Sequence, residues 1–166
     1  MEKKALLHLK KDLVMKKLIK KHGELEWDWG VDLFSDLIES IINQQLSDKA
    51  AATIFKRFKG LFGKKKFPKP EDILKLSDEK IRESGISFSK IKYIKGICEA
   101  IIKGELELDK LDSLSDEKVV EELIKLKGVG QWTAEMILMF SLKRMDIFSV
   151  GDLGLRTAVS KLYKNP

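Results

Sequence analysis

The sequence is poor in the residues that most metal and redox chemistry needs. Cys98 is its single cysteine, and His8 and His22 are its two histidines. One thiol closes no intrachain disulfide, and zinc or iron–sulfur sites take several thiolates or imidazoles. Long apolar runs are missing as well. The stretch from Met1 to His22 mixes lysine with leucine at short intervals, which suits neither a signal peptide nor a membrane span. The expectation is a reducing, cytoplasmic location with no membrane partner, nucleoid-associated in a prokaryote. Acidic residues number 26 against 32 basic ones, a net charge of +6. That balance favours an anionic partner, nucleic acid first, although a lysine-rich proteome produces the same excess. Apolar residues make up 43% of the chain, enough for a packed core and against disorder of the whole.

Apolar residues recur at spacings of three and four almost throughout, which is the helical period. "ALLHLKKDLVMKKLIKKHG" keeps that spacing until Gly23, and "DLFSDLIESIINQQL" repeats it. Ser47 reads as the N-cap of a helix through "DKAAATIFKRFKGLFG", with Asp48 at its positive end. "GKKKFPKPEDI" breaks the pattern with Lys64 to Lys66 and two prolines. "LSDEK" then occurs twice, at Leu76 and at Leu114, each time as a serine cap followed by acids that suit the macrodipole. The same cap used twice explains this better than an internal duplication does. A helix follows in "GISFSKIKYIKGICEAIIKG", another in "VVEELIKL", and another from Gln131 to about Lys143. "RMDIFSV" reads as an extended connection, with a last helix from Asp152. No alternating strand pattern appears. The expected fold is all-α and two-lobed, forming a single domain over 1–166.

"LKGVGQWTAEM" joins two of these helices. A Gly-X-Gly turn before a helix exposes several backbone N–H groups, and glycine lets a phosphate come close. Such a turn binds the nucleic-acid backbone without reading sequence. Alone it is more often a bare tight turn.

In its setting the stretch is more specific. "LIKLKGVGQWTAEMILMFSLKRMDIFSVGDLGLR" resembles the helix-hairpin-helix DNA glycosylases, in particular the alkylation-repair branch of 3-methyladenine DNA glycosylase II type. The likeness takes in "LIESIINQQLSDKAAATIFKRF" and "GISFSKIKYI", so that it runs from about Leu33 to Leu162. It implies double-stranded DNA containing alkylated bases as partner, base flipping, and hydrolysis of the base–sugar bond by a monomer. The matching catalytic aspartate is Asp152, in "SVGDLGLR" downstream of the hairpin. A fixed carboxylate there would stabilise oxocarbenium character on the sugar. A plain N-cap is the other reading of Asp152, and both roles are compatible. Asp146 and Glu135 are weaker carboxylate candidates.

Other site residues follow from the same resemblance. Trp132 stands where the branch that also nicks DNA carries a Schiff-base lysine, which implies a glycosylase without lyase activity. Trp132 and Met136 share a helix face and are expected to wall the base pocket, against the alternative that Trp132 is core. "NQQLS" matches the loop that enters the minor groove, with Gln45 as wedge, Leu46 beside it, and Gln44 and Ser47 flanking. Lys127, Gly128, Val129, Gly130, Gln131 and Thr133 belong to the backbone-gripping hairpin. Lys90, with Ser89 and Tyr93, is expected to contact a phosphate or support its lobe, a merely solvated Lys90 being the alternative. No cofactor is required. The backbone carbonyls of Ile124, Leu126 and Val129 match a monovalent-cation site (Na or K).

The sequence departs from the pattern at one end, since it stops at Pro166, soon after Asp152, where relatives continue through several helices. The expectation is a fragment or a natural short form that lacks the C-terminal helices which supply part of the pocket wall in relatives. The second function in view is a non-catalytic helix-hairpin-helix protein that binds DNA or recognises damage.

Overall fold

The computed structural model describes residues 3–23, 32–63 and 66–164, and every described segment of regular structure is helical. In chain order they are α1 (Lys3–Leu9), α2 (Leu13–His22), α3 (Leu33–Asn43), α4 (Asp48–Gly60), α5 (Pro70–Leu74), α6 (Asp78–Arg82), α7 (Phe88–Ile102), α8 (Leu108–Leu111), α9 (Asp116–Ile124), α10 (Gln131–Met136) and α11 (Leu153–Tyr163). The fold is all-α. The lysines at 64 and 65 of the expected break lie outside the described residues, and α5 opens with Pro70 in its first turn. No helix among the described residues is long and apolar enough to cross a membrane.

The first helical run differs from its reading as one segment. It is two helices, because the Asp12 carboxylate accepts a hydrogen bond from Met15 N at 2.8 Å and starts α2 afresh. The repeated caps form as expected. Ser77 accepts from Lys80 N at 3.2 Å, and Ser115 from Lys118 N at 3.4 Å. Ser47 holds the N-cap position of α4 without a side-chain capping bond. Met136 leads into a π-helical turn over Ile137–Ser141, where Leu142 N reaches back to Ile137 O at 2.9 Å.

The chain divides into two compact units. The larger spans Gly30–Ile147 and holds α3 to α10. Its core is aliphatic: Leu37, Ile38 and Ile41 of α3, Ile91, Ile94 and Ile97 of α7, and Val119 and Leu123 of α9 are all fully buried. Burying each such side chain contributes about 1.5–3 kcal/mol relative to exposure. Phe34, Phe55 and Phe58 close one end around the Phe67 ring, at centroid separations of 5.7, 5.9 and 6.4 Å. Cys98 lies in this core, and burial pushes its thiol up to about 12, which leaves it without thiolate chemistry at neutral pH. The smaller unit takes the described residues of Met1–Trp29 and Phe148–Pro166, with α1, α2 and α11. Within it the Tyr163 hydroxyl donates to the Asp12 carboxylate at 3.0 Å, tying the end of α11 to the start of α2.

Candidate nucleic-acid interface and active site

The hairpin sits in the larger unit between α9 and α10, and its two glycines do different work. Gly128 has φ +90°, in the left-handed region that favours glycine. A Cβ there would collide with Tyr93 Cδ2 and lie 2.6 Å from Tyr93 Cγ, so the Tyr93 side chain packs directly on the bare backbone. Gly130 is the N-cap of α10 with φ −98° and ψ 174°, which any residue adopts. Nothing lies within 4 Å of a Cβ built on it. The fold thus explains Gly128 but not Gly130. Exposed Gly130 and the N–H groups that open α10 leave room for an approaching phosphate oxygen. Exposed Lys127 precedes them, and Gln131 is exposed with its amide donating to Glu135 at 2.9 Å.

Three residues expected at the DNA have their polar ends occupied inside the unit, which narrows the role of their side chains. The Gln44 amide donates to the Gly128 carbonyl at 2.8 Å and to the Thr133 hydroxyl at 3.4 Å. Thr133 is buried, and its hydroxyl is engaged by that amide. The Lys90 ammonium donates to the carbonyls of Ile42 at 2.8 Å and Gln44 at 2.6 Å, at the end of α3. Burial draws the Lys90 pKa down. Of the readings for Lys90, support of the lobe fits this geometry and a solvated side chain does not. Tyr93, one helical turn on, supports the hairpin through Gly128; the lone sequence signal for that pairing was the glycine itself.

The rest of "NQQLS" faces outward. Gln45, Leu46 and Ser47 are exposed, and Gln45 holds φ +58°, uncommon for a residue with a side chain. Trp132 is 45% exposed, against its reading as core, and Met136 is half-buried one turn later. Phe140, 46% exposed, extends the same helical spacing into the π-turn, and sequence reasoning missed it. A groove of about 640 Å³ elsewhere in the unit, between Asp32, Phe34, Phe67 and Glu107, holds none of the expected site residues.

The cation expectation meets a suitable donor type. Ile124 is exposed, Leu126 half-buried and Val129 buried. Their carbonyls are neutral hard oxygens, and the Leu126 carbonyl already accepts from Val129 N at 3.1 Å. No cluster of His, Cys, Asp and Glu able to hold a metal occurs among the described residues.

In the smaller unit, Asp152 is the N-cap of α11. Its carboxylate accepts from Leu155 N at 2.6 Å, and its own N–H donates to Ser149 O at 3.1 Å. It is half-buried, on a helix whose start supplies positive partial charge. One carboxylate oxygen is held by the helix, so the group is fixed in direction, as an electrostatic catalyst needs to be. Asp146 and Glu135 do not stand at the start of a helix, and Glu135 accepts from Gln131.

The chain thus carries a hairpin with one glycine open to solvent, an outward aromatic behind it and, later in the sequence, a helix-capping aspartate. Residues 38–166 match the family of HhH-GPD superfamily base excision DNA repair proteins. The chain belongs to that superfamily, in its alkylation-repair branch. It is 40% identical over 134 residues to DNA-3-methyladenine glycosylase 1 of Schizosaccharomyces pombe, a match covering 80% of this chain and 59% of that relative. Among solved structures it is similar to a DNA-3-methyladenine glycosidase from Bacillus halodurans, with TM-score 0.83 and 41% identity over 95% of this chain and 72% of that one. It is also similar to the Schizosaccharomyces pombe 3-methyladenine DNA glycosylase in complex with abasic DNA, with TM-score 0.89 and 37% identity over 98% and 82%. The chain spans 59% of the first curated relative's length and about half of several others.

Proposed function

We infer that the protein is a monofunctional DNA glycosylase that releases alkylated purines of the 3-methyladenine and 7-methylguanine type from duplex DNA. The observation that carries this reading is the similarity, over nearly the whole chain, to two solved 3-methyladenine glycosylases, one of them bound to abasic DNA. The chemistry of the residues agrees with it. Gly130 and the start of α10 take the phosphate backbone, while Gln45 and Leu46 fill the space of the flipped nucleotide. Trp132 and Met136 receive the base, which stacks on the indole through its positive charge for about 0.5–2 kcal/mol. That preference is small, so selection comes mostly from the chemistry. Alkylation at N3 of adenine or N7 of guanine makes the base a good leaving group and eases its flipping. Bond cleavage leaves positive charge on the sugar, which the Asp152 carboxylate stabilises while water adds. The indole of Trp132 has no amine to attack the sugar, so the product is an intact abasic site. A monovalent cation on the carbonyls of Ile124, Leu126 and Val129 would stiffen the hairpin; no catalytic step depends on it.

Release of free base from methylated duplex is the test, with Asp152→Asn beside the wild type. The variant should keep its DNA affinity and lose roughly 10²-fold or more in excision. Near wild-type release by Asp152→Asn would remove Asp152 from the chemistry. Faster release of oxidised bases than of methylated purines would place the substrate in another branch. Binding of DNA without base release by wild type would instead favour a damage-recognition protein. Phe148, Val150 and Leu153, all more than 60% exposed around Asp152, are the observation on that side.

A further inference from the structure

The positive charge of this protein is not spread over it. The segment from Met1 to Gly23 holds eight of its 32 basic residues and two of its 26 acidic ones. From Glu24 onward basic and acidic residues are equal in number, so the whole net charge of +6 sits in α1, α2 and their immediate flanks. A lysine-rich proteome would raise the charge everywhere, and it does not explain this confinement. The segment also precedes the residues that match the superfamily, which begin at 38.

The fold does not use these lysines. All eight, at positions 3, 4, 10, 11, 16, 17, 20 and 21, are exposed. Among the described residues none of them takes part in an ion pair. Lys3 and Lys4 stand in the first turn of α1, which has no acid, so they oppose the macrodipole there. Lys20 and Lys21 do suit the end of α2, but that accounts for two of the eight. In α2 the spacing of Lys16, Lys17, Lys20 and Lys21 gathers four ammonium groups on one side, about one turn apart. Val14, Met15, Leu18 and Ile19, each half-buried, take the other side. Asp12, the acid among the described residues of the segment, is occupied by Met15 N and the Tyr163 hydroxyl. Those bonds hold its carboxyl below the usual range, the Met15 bond most of all.

We propose that α1 and α2 form an auxiliary binding surface for the phosphate backbone of duplex DNA, separate from the hairpin and indifferent to damage. A row of exposed ammonium groups binds phosphates through release of condensed counterions and reads no sequence. The remainder of the chain is electrically balanced, so this surface supplies most of its long-range attraction to DNA. The idea rests on the DNA-repair reading only for its choice of polyanion.

The test uses undamaged duplex, so that its result stands whether or not the chain releases a base. Affinity for a labelled duplex is measured by anisotropy between about 50 and 200 mM salt. The protein is the wild type, the quadruple variant Lys16→Gln, Lys17→Gln, Lys20→Gln, Lys21→Gln, and the same four positions changed to Arg. Glutamine is nearly as good a helix former as lysine, and circular dichroism checks that helix content is kept. The expected result is a log–log salt slope shallower by about 2–4 in the glutamine variant, near 0.9 for each phosphate no longer neutralised. The arginine variant should keep the wild-type slope. A second variant, with glutamine at 3, 4, 10 and 11, should lower the slope independently. A slope unchanged in both glutamine variants overturns the proposal. So does tighter binding of the wild type to anionic phospholipid vesicles than to duplex at the same ionic strength.

Discussion

Adding one methyl group to each glycine of the hairpin should have opposite consequences. Gly128→Ala drives a Cβ into Tyr93 Cδ2 and sets it 2.6 Å from Cγ and 3.0 Å from Cβ. Cγ and Cβ belong to the root of the side chain, so a rotation of the ring does not clear them. Tyr93 is anchored in α7, whose neighbours Ile91 and Ile94 are fully buried. Overpacking of this kind costs about 1–3 kcal/mol. The left-handed backbone at φ +90° adds about 1–2 kcal/mol for alanine. The sum is about 2–5 kcal/mol, which for a chain of this size is a fall in Tm of roughly 4–20 °C. Gly130→Ala meets no atom and no unusual φ, and it reduces the freedom of the unfolded chain. Its Tm should stay within about 2 °C of wild type or rise. DNA affinity should fall in the Gly130 variant if its methyl group stands where, as proposed, the phosphate approaches. Thermal melts and anisotropy on the same samples separate the two effects. A double-mutant cycle with Tyr93→Ala isolates the steric part, which should shrink when the ring is gone. Melting of Gly128→Ala together with wild type would contradict the packing argument. So would a Gly130→Ala protein as destabilised as Gly128→Ala.

Three further outcomes follow from the site and its supports. Borohydride trapping on damaged duplex should give no covalent protein–DNA adduct, and a trapped adduct would reveal an amine nucleophile. Lys90→Met should cost about 1–3 kcal/mol by urea unfolding, because the carbonyls of Ile42 and Gln44 lose a charged donor; an unchanged midpoint would show that water replaces it fully. Burial raises the Asp36 carboxyl above its usual range, opposed by a hydrogen bond from Ser141 and aided by the charge of Asp32. The folded chain then holds that proton more tightly than the unfolded one, so stability declines as pH rises from the unfolded value through the folded one. Asp36→Asn should therefore raise Tm at pH 7 and change it little below about pH 3. Equal shifts at both pH values would refute that account.

What the sequence revealed, it revealed through local chemistry. Helices announce themselves by period and by caps, and Ser77, Ser115 and Asp152 all cap where the pattern placed them. The hairpin was legible through its setting between two helices and the family resemblance of the whole stretch, since a glycine pair alone reads as a bare turn. The break at Asp12 was not, since "HLKKDLV" keeps the apolar period across it and only the side-chain bond to Met15 N decides the matter. The contacts of Lys90 and Gln44 were hidden for a related reason. A polar residue on an exposed-looking helix turn reads as available to a ligand. Their actual partners lie 46 and 84 positions away in sequence, beyond the reach of any local pattern. The π-turn after α10 leaves no signature that separates it from ordinary helix, whereas Phe140 stood at the legible four-residue spacing after Trp132 and Met136 and was overlooked.

The two glutamines of "NQQLS" show how those long-range contacts bear on function. Gln44 turns inward and fastens the hairpin through the Gly128 carbonyl, and Lys90 fastens Gln44 through its own carbonyl. The backbone on one side of Gln45 is therefore fixed by α7 and by the α9–α10 hairpin together. On the other side Leu46 N closes onto Asn43 O at 3.2 Å. Between these anchors Gln45 is held at φ +58°, at a cost of about 1–2 kcal/mol relative to an ordinary backbone. Strain of this kind persists only where the surroundings over-determine it. A residue proposed to enter the minor groove gains from that arrangement, because a wedge already set at its angle loses less conformational freedom on binding. The same contacts tie the loop at Gln45 to the α9–α10 turn within the larger unit. In the proposed reading, capture of the DNA backbone by the hairpin would set the position from which Gln45 meets the base stack.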